Sequence, residues 1–315
     1  MRPILAIAAT ALAAAAFAGP AAAQDGEACE TVRLSDVGWT DITATTAVAS
    51  QVLEGLGYEP DVKVLAVPVT FASLKNNDLD AFLGLWMPSM QADVAPYLAD
   101  KSVVDLGTNL EGAKYTLAVP KALFDEGLKS FADIGKFADK LGNKIYGIEP
   151  GNDGNRLILD MINKNAFDLG KFELVESSEQ GMLAQVARAT KANEPIVFLG
   201  WAPHPMNTNF QLEYLAGGDD FFGPNYGGAT VSTVTRANYA AECPNANKLL
   251  DAIQFTLDSE SQIMGAIIDE GEDPEDAAKA WLTANPGSWE PWLQGVTTLD
   301  GQDGLAAVKE HLGLS

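Results

Sequence analysis

Short apolar strands alternate with amphipathic helices along most of this 315-residue chain, and that alternation limits the fold more than any other feature. Thr31 to Leu34 predicts a strand, followed by a loop at residues 35–40. Thr43 to Leu56 predicts a helix, because Val48, Val52, Leu53 and Leu56 share one face and Gly57 stops it. Val62 to Val67 alternates as a strand, and Thr70 to Asn76 reads as a short helix. Ala81-Phe82-Leu83-Gly84-Leu85 is a buried strand that ends on Trp86. A β-α-β-α-β run of this kind hides its apolar faces as a mainly parallel sheet covered by helices.

The pattern then repeats. Tyr115 to Val119 is a strand; Lys144 to Ile148 is a strand that opens into a Gly-rich turn and a helix from Gly154 to Asn163. Ile196 to Leu199 is a strand that runs into Gly200-Trp201. Helical spacing dominates from Asn247 onward, at residues 247–257, 261–269, 274–284 and 304–312. At about 150 residues per domain the length suits two α/β lobes. The expected division is residues 24–112 plus 213–315 in lobe 1 and residues 113–212 in lobe 2. Two strands crossing between them make a hinge, with a cleft between the lobes.

The first residues bound the compartment. Met1-Arg2, an alanine-rich apolar run from Ile4 to Ala18, Pro20 and Ala21-Ala22-Ala23 form the pattern of a cleaved secretory leader, residues 1–23. The run is shorter than the roughly 20 residues of a spanning helix. Export to a periplasm is therefore expected. The net charge is −23, and the leader carries away only Arg2. Such an acidic chain is a poor ligand for nucleic acid or anionic membranes and steers weakly towards cations. Cys29 and Cys243, an even pair in an oxidising compartment, most simply form one disulfide; two free thiols or a metal site are the rivals. With only His204 and His311 to add, the metal donor set is thin, and neither metal nor cofactor is expected.

Open α/β sheets bind ligands at the C-terminal ends of their strands. Trp39 and Asp41 lie in and after the loop that follows the first strand, Trp86 ends the third strand, Trp201 follows a later one, and Tyr115 stands at the lobe crossing. A single tryptophan is more often core. Several at strand ends point instead to a cation held by ring faces, worth about 0.5–2 kcal/mol per contact. Asp41 adds a negative charge; its plainer role is to cap the helix near Thr43. In the turn Glu149-Pro150-Gly151-Asn152-Asp153-Gly154-Asn155, Asn152 is either a helix cap or an amide partner for a ligand hydroxyl. The turn lacks the Gly-Lys-Ser/Thr ending of a phosphate loop. No nucleophile elbow or His-Glu-x-x-His stretch is present.

These stretches resemble a known family. They are residues 35–46 (Ser-Asp-Val-Gly-Trp-Thr-Asp-Ile-Thr-Ala-Thr-Thr), Gly84-Leu85-Trp86-Met87-Pro88, Gly112-Ala113-Lys114-Tyr115-Thr116-Leu117, residues 146–156 and Phe198-Leu199-Gly200-Trp201-Ala202-Pro203-His204-Pro205. In that order and spacing the chain is similar to choline-binding periplasmic proteins of ABC importers, in the glycine betaine/choline group with the type II periplasmic-binding-protein fold. The resemblance implies an aromatic box of Trp39, Trp86, Tyr115 and Trp201 around a trimethylammonium group. It places Asp41 and Asn152 near the ligand hydroxyl, pairs Cys29 with Cys243, and implies lobe closure on the ligand. It also implies a membrane permease as partner of a monomeric, non-enzymatic protein. Relatives often carry Glu where this chain has Ala202.

Choline and glycine betaine share the cationic head and differ in hydroxyl against carboxylate. A carboxylate needs cationic or N–H donors, and the charged group here is Asp41, so choline is the expected ligand. Glycine betaine, proline betaine and acetylcholine are the alternatives in the same fold, and a choline-ester hydrolase is the alternative of another class.

Overall fold

The computed structural model describes residues 25–314; the expected leader, residues 1–23, lies outside the described residues. Nine strands form one mixed sheet: β1 (Thr31–Asp36), β2 (Glu59–Val64), β3 (Ala81–Met87), β4 (Val103–Pro120), β5 (Lys144–Tyr146), β6 (Glu173–Val175), β7 (Phe198–Ala202), β8 (Leu212–Tyr214) and β9 (Gly228–Arg236). Their order is β2-β1-β3-β9-β4-β7-β5-β6, with β8 also on β4.

The two ends of the sheet are parallel and its centre is antiparallel. β1 runs parallel to β2 and β3, and β5 runs parallel to β6 and β7. Between these groups β9 pairs antiparallel with both β3 and β4, and β4 pairs antiparallel with β7. The 18-residue β4 is shared: residues 103–114 pair with β9, residues 114–118 with β7 and residues 118–120 with β8. Three register shifts interrupt the β4–β9 ladder, and such bulges bend and twist a strand pair. The chain thus crosses from one group to the other in β4 and returns in β9. Residue 213, the expected point of return, lies on β8 and still pairs with the far end of β4.

Local boundaries moved for physical reasons. The first long helix spans Thr40–Gly55, starting ahead of Thr43, with Trp39 extended at its N-cap. Asp41 is therefore inside the first turn and does not cap it. The strand expected to reach Val67 ends at Val64, because Val67-Pro68 opens the helix Val67–Lys75, where proline's missing N–H costs nothing. β9 carries no apolar alternation: Ser232, Thr233 and Thr235 are buried beside Val231 and Val234 in the sheet's centre. The helix Glu179–Ala192, which follows β6, is a further element beyond those expected, although Met182, Val186 and Ala189 recur at helical spacing on its buried face.

Trp281, Trp289 and Trp292 are buried in the C-terminal helical layer, so they serve the core. Nearby, Cys29 and Cys243 form a disulfide across 214 residues of sequence. The Asp25 carboxylate reinforces it: it accepts from the N–H groups of Asn245 (2.8 Å) and Ala246 (2.9 Å) at the start of the helix Pro244–Ala252, and from the Tyr58 hydroxyl (2.9 Å). The first described residues are thereby stapled to a segment far along the chain.

Cross-linking so long a loop restricts the unfolded chain. The double substitution Cys29→Ala with Cys243→Ala is expected to lower the unfolding free energy by about 2–4 kcal/mol in denaturant titration. An unchanged midpoint would show that the Asp25 and Tyr58 contacts alone hold this end.

Candidate functional site

Trp39, Asp41, Trp86, Tyr115, Ile148 and Trp201 line one small cavity. The fold delivers all of them from a strand end or the segment just beyond it, except Tyr115, which lies within β4. After β1, the loop turns at Gly38, whose φ of +81° suits glycine, and sets Trp39 before the helix that carries Asp41. Trp86 lies near the end of β3, and Ile148 follows β5. Tyr115 and Trp201 sit opposite each other in the β4–β7 register.

The rings form a walled space. Trp86 and Tyr115 have centroids 5.9 Å apart at 55°, and Tyr115 meets Trp201 edge-on at 6.2 Å. None of Trp39, Trp86, Tyr115 and Trp201 is more than 5 % exposed, so the cleft is shut over them. A Cβ at Gly154 would collide with the Tyr115 hydroxyl, so glycine there lets the helix Asp153–Asn163 approach the ring.

The ionisable side chains at and beside the site are acids, and burial favours their neutral forms. Asp41 is 1 % exposed; its Oδ2 accepts from Trp86 Nε1 at 3.1 Å, and its Oδ1 has no partner among the described residues. Burial, and secondly the nearby Glu179 charge, push Asp41 up to about 8. Glu260, buried on the helix Leu257–Gly265, is held well above the carboxylate range by burial and by Asp41. Burial also raises Glu149, which accepts a hydrogen bond from Trp39 Nε1. No lysine, arginine or histidine lines the cavity. Arg156 is engaged elsewhere, with Asp93 at 2.7 Å and the Ser89 carbonyl at 2.8 Å. Trp201 Nε1 is buried without a partner among the described residues.

Five of the six residues singled out by sequence thus meet around one space, and Asn152 does not line it. Asn152 is the N-cap of the helix Asp153–Asn163: its Oδ1 accepts from Asn155 N–H at 2.8 Å, and its Nδ2 donates to the Glu149 carbonyl. Both ends of its amide thus bond within the turn. Ile148, Gly154, Glu179 and His204 were not anticipated at the site. Gly154 lies in the turn already noticed and Ile148 directly before it, so both were within reach of the sequence. Glu179 meets Thr40, and His204 meets Glu179, only through packing of distant elements, which no local pattern signals. Among the described residues, no group of His, Cys, Asp and Glu is arranged to hold a metal ion, and no helix is long and apolar enough to cross a membrane.

Two α/β groups closing over an aromatic cavity define a substrate-binding protein of the type II periplasmic class. Residues 30–284 match the family of substrate binding domains of ABC-type glycine betaine transport systems, and the chain belongs to that family. It is similar to an ABC-transporter choline binding protein in complex with choline, at 66 % identity and a TM-score of 0.91 over 92 % of this chain and 100 % of the other. Against a choline binding protein in an unliganded semi-closed conformation the identity is 67 % and the TM-score 0.84, over 91 % and 100 %. The backbone therefore follows the choline-bound form more closely. Lactococcal OpuAC, closed on glycine betaine, is 28 % identical with a TM-score of 0.76 over 84 % of this chain and 100 % of its own.

The buried Asp41 has a consequence for stability. Its folded pKa lies above the unfolded value, so its favourable contribution is present below about pH 4 and is lost as pH rises through about 8. Asp41→Asn keeps an acceptor for Trp86 without that penalty. Without ligand, its melting temperature relative to wild type is expected to climb steadily between pH 5 and pH 8.5. A pH-independent difference would place Asp41 in contact with water.

Proposed function

We propose that this protein is the periplasmic solute-binding component of an ABC importer and that its ligand is choline, held by Trp39, Asp41, Trp86, Tyr115 and Trp201. One observation carries this reading: a cavity walled by four aromatic rings and one carboxylate, with no cationic side chain in its lining. A quaternary ammonium has no N–H to donate, so ring faces and a nearby carboxylate attract it where a hydrogen-bonding site would not. Desolvated ring contacts contribute about 0.5–2 kcal/mol each, and several together suit a small ligand.

Choline is favoured over glycine betaine by the same lining. A betaine carboxylate beside Asp41 meets like charge and finds no Arg, Lys or His to pair with. The similarity to a choline-bound protein supports this choice. Asn152 enters as the residue that holds the turn at 149–155 in place, and with it Ile148 and Gly154. Residues 24–112 plus 213–315 and residues 113–212 are the two proposed lobes, moving about β4 and β9. The partner is a membrane permease that receives the loaded, monomeric protein after removal of residues 1–23. We read the site as binding rather than catalytic, since no hydroxyl or thiol nucleophile other than the Tyr115 phenol lines it; hydrolysis of acetylcholine by the purified protein would reverse that.

Calorimetric titration tests the ligand. Choline is expected to bind, and Trp201→Ala to weaken it at least tenfold, as the loss of one enclosing ring demands. No choline binding by the wild type would end this reading. Choline has no group that titrates near neutrality, and its charge favours ionised Asp41. Affinity is therefore expected to rise with pH and level off near 8, and to become flat in Asp41→Asn. A flat wild-type profile would remove Asp41 from the cation's surroundings.

A further inference from the structure

Glu179 stands where the two halves of the molecule meet, behind the box rather than in it. It is 1 % exposed and opens the helix Glu179–Ala192, which follows β6. Its carboxylate reaches across to the start of the helix Thr40–Gly55, which follows β1. Oε2 accepts the Thr40 N–H at 2.8 Å, and Oε1 accepts the Thr40 hydroxyl at 2.6 Å. Helix N-termini leave N–H groups without intrahelical partners and carry a partial positive charge, so a carboxylate there is doubly favoured. Here that carboxylate comes from another element, 139 residues away in sequence.

The third partner of Glu179 is His204, at 3.0 Å from Nε2 to Oε1. Met206 N–H donates to His204 Nδ1 at 2.9 Å, so Nδ1 carries no proton and Nε2 is the donor. The imidazole in turn packs edge-on against Trp201 at 4.9 Å. Thr40 lies between Trp39 and Asp41 in sequence. One carboxylate therefore ties the segment bearing Trp39 and Asp41 to the ring that supports Trp201.

We propose that Glu179 is a closure latch and positioning residue: by capping Thr40 from the opposite lobe and holding His204, it locks the closed cleft and aligns Trp39, Asp41 and Trp201 on the ligand. This rests on the binding reading above and adds to it a residue that touches no ligand. All three donors face a carboxylate, so an amide in its place always meets one donor with another. If the Gln oxygen takes the Oε2 position, its NH2 faces His204 Nε2–H; in the other orientation it faces the Thr40 N–H.

Release kinetics by stopped-flow fluorescence, paired with calorimetry, test the latch. Glu179→Gln is expected to weaken choline binding roughly ten- to hundredfold, since hydrogen bonds to a charged group are lost. The change should fall mainly on a faster release rate, with the melting temperature of the ligand-free protein nearly unmoved. Thr40→Val should speed release in the same direction, and Thr40→Ser, which keeps the hydroxyl, should restore most of the slow rate. In the Glu179→Gln background Thr40→Val should add much less than it does alone. A wild type that fails to bind choline overturns the ligand assignment. A wild type that binds, with Glu179→Gln and Thr40→Val releasing choline at the wild-type rate, overturns the latch alone. A Glu179→Gln protein whose ligand-free form melts far below wild type while release is unchanged also overturns it, because Glu179 is then a structural support.

Discussion

The carboxylate of Asp41 is held out of water with one donor, Trp86, and two acidic neighbours, Glu179 and Glu260. An isolated ionised carboxylate in such a place is expensive, and proteins relieve it by protonation or by a partner cation. The aromatic walls determine what kind of cation can serve. They attract charge through their ring faces and offer little directed hydrogen bonding, so a compact ammonium without N–H groups fits where a lysine or a guanidinium would stay unsatisfied. The pocket is in this sense a built imbalance that a bound cation corrects.

Everything else positions that imbalance. The parallel groups β1–β3 and β5–β7 each bring strand ends to the cavity, where open α/β sheets place their ligands. The shared strands β4 and β9 join them through a bulged antiparallel centre, and Tyr115 sits within β4 itself. Contacts across the cleft then shut it: Trp39 with Glu149, Thr40 with Glu179, and Asp93 with Arg156. None of these lies within a single secondary-structure element. All of them depend on the two groups coming together, which is how binding energy at the box becomes a change of shape.

Much of this was legible from sequence, and the exceptions have physical reasons. The β-α-β alternation revealed the first and third strands through their buried apolar residues, whereas β2 is largely exposed and begins ahead of the Val62–Val67 stretch expected. The tryptophans at 86 and 201 stood out because each follows such a run directly. β9 stayed hidden because the centre of the sheet buries its serine and threonines as fully as its valines, leaving no alternation to see. Asn152 illustrates a real ambiguity: the same amide that suits a ligand also suits a helix cap, and its geometry follows the cap. Trp281, Trp289 and Trp292 show the converse, since tryptophan alone does not mark a site. Glu179 carried no signal, and His204 none beyond its place in the stretch 198–205, because their role exists only between elements far apart in the chain.

The central claim is selectivity for a hydroxyl-bearing cation over a zwitterion with the same head group. Parallel calorimetric titrations of the mature protein with choline and with glycine betaine, at one pH near 8 and one salt concentration, test it directly. The expected result is choline binding tighter by at least two orders of magnitude, since the betaine carboxylate faces Asp41 unpaired, a penalty of about 3 kcal/mol or more. Glycine betaine binding as tightly as choline, or more tightly, would contradict the account.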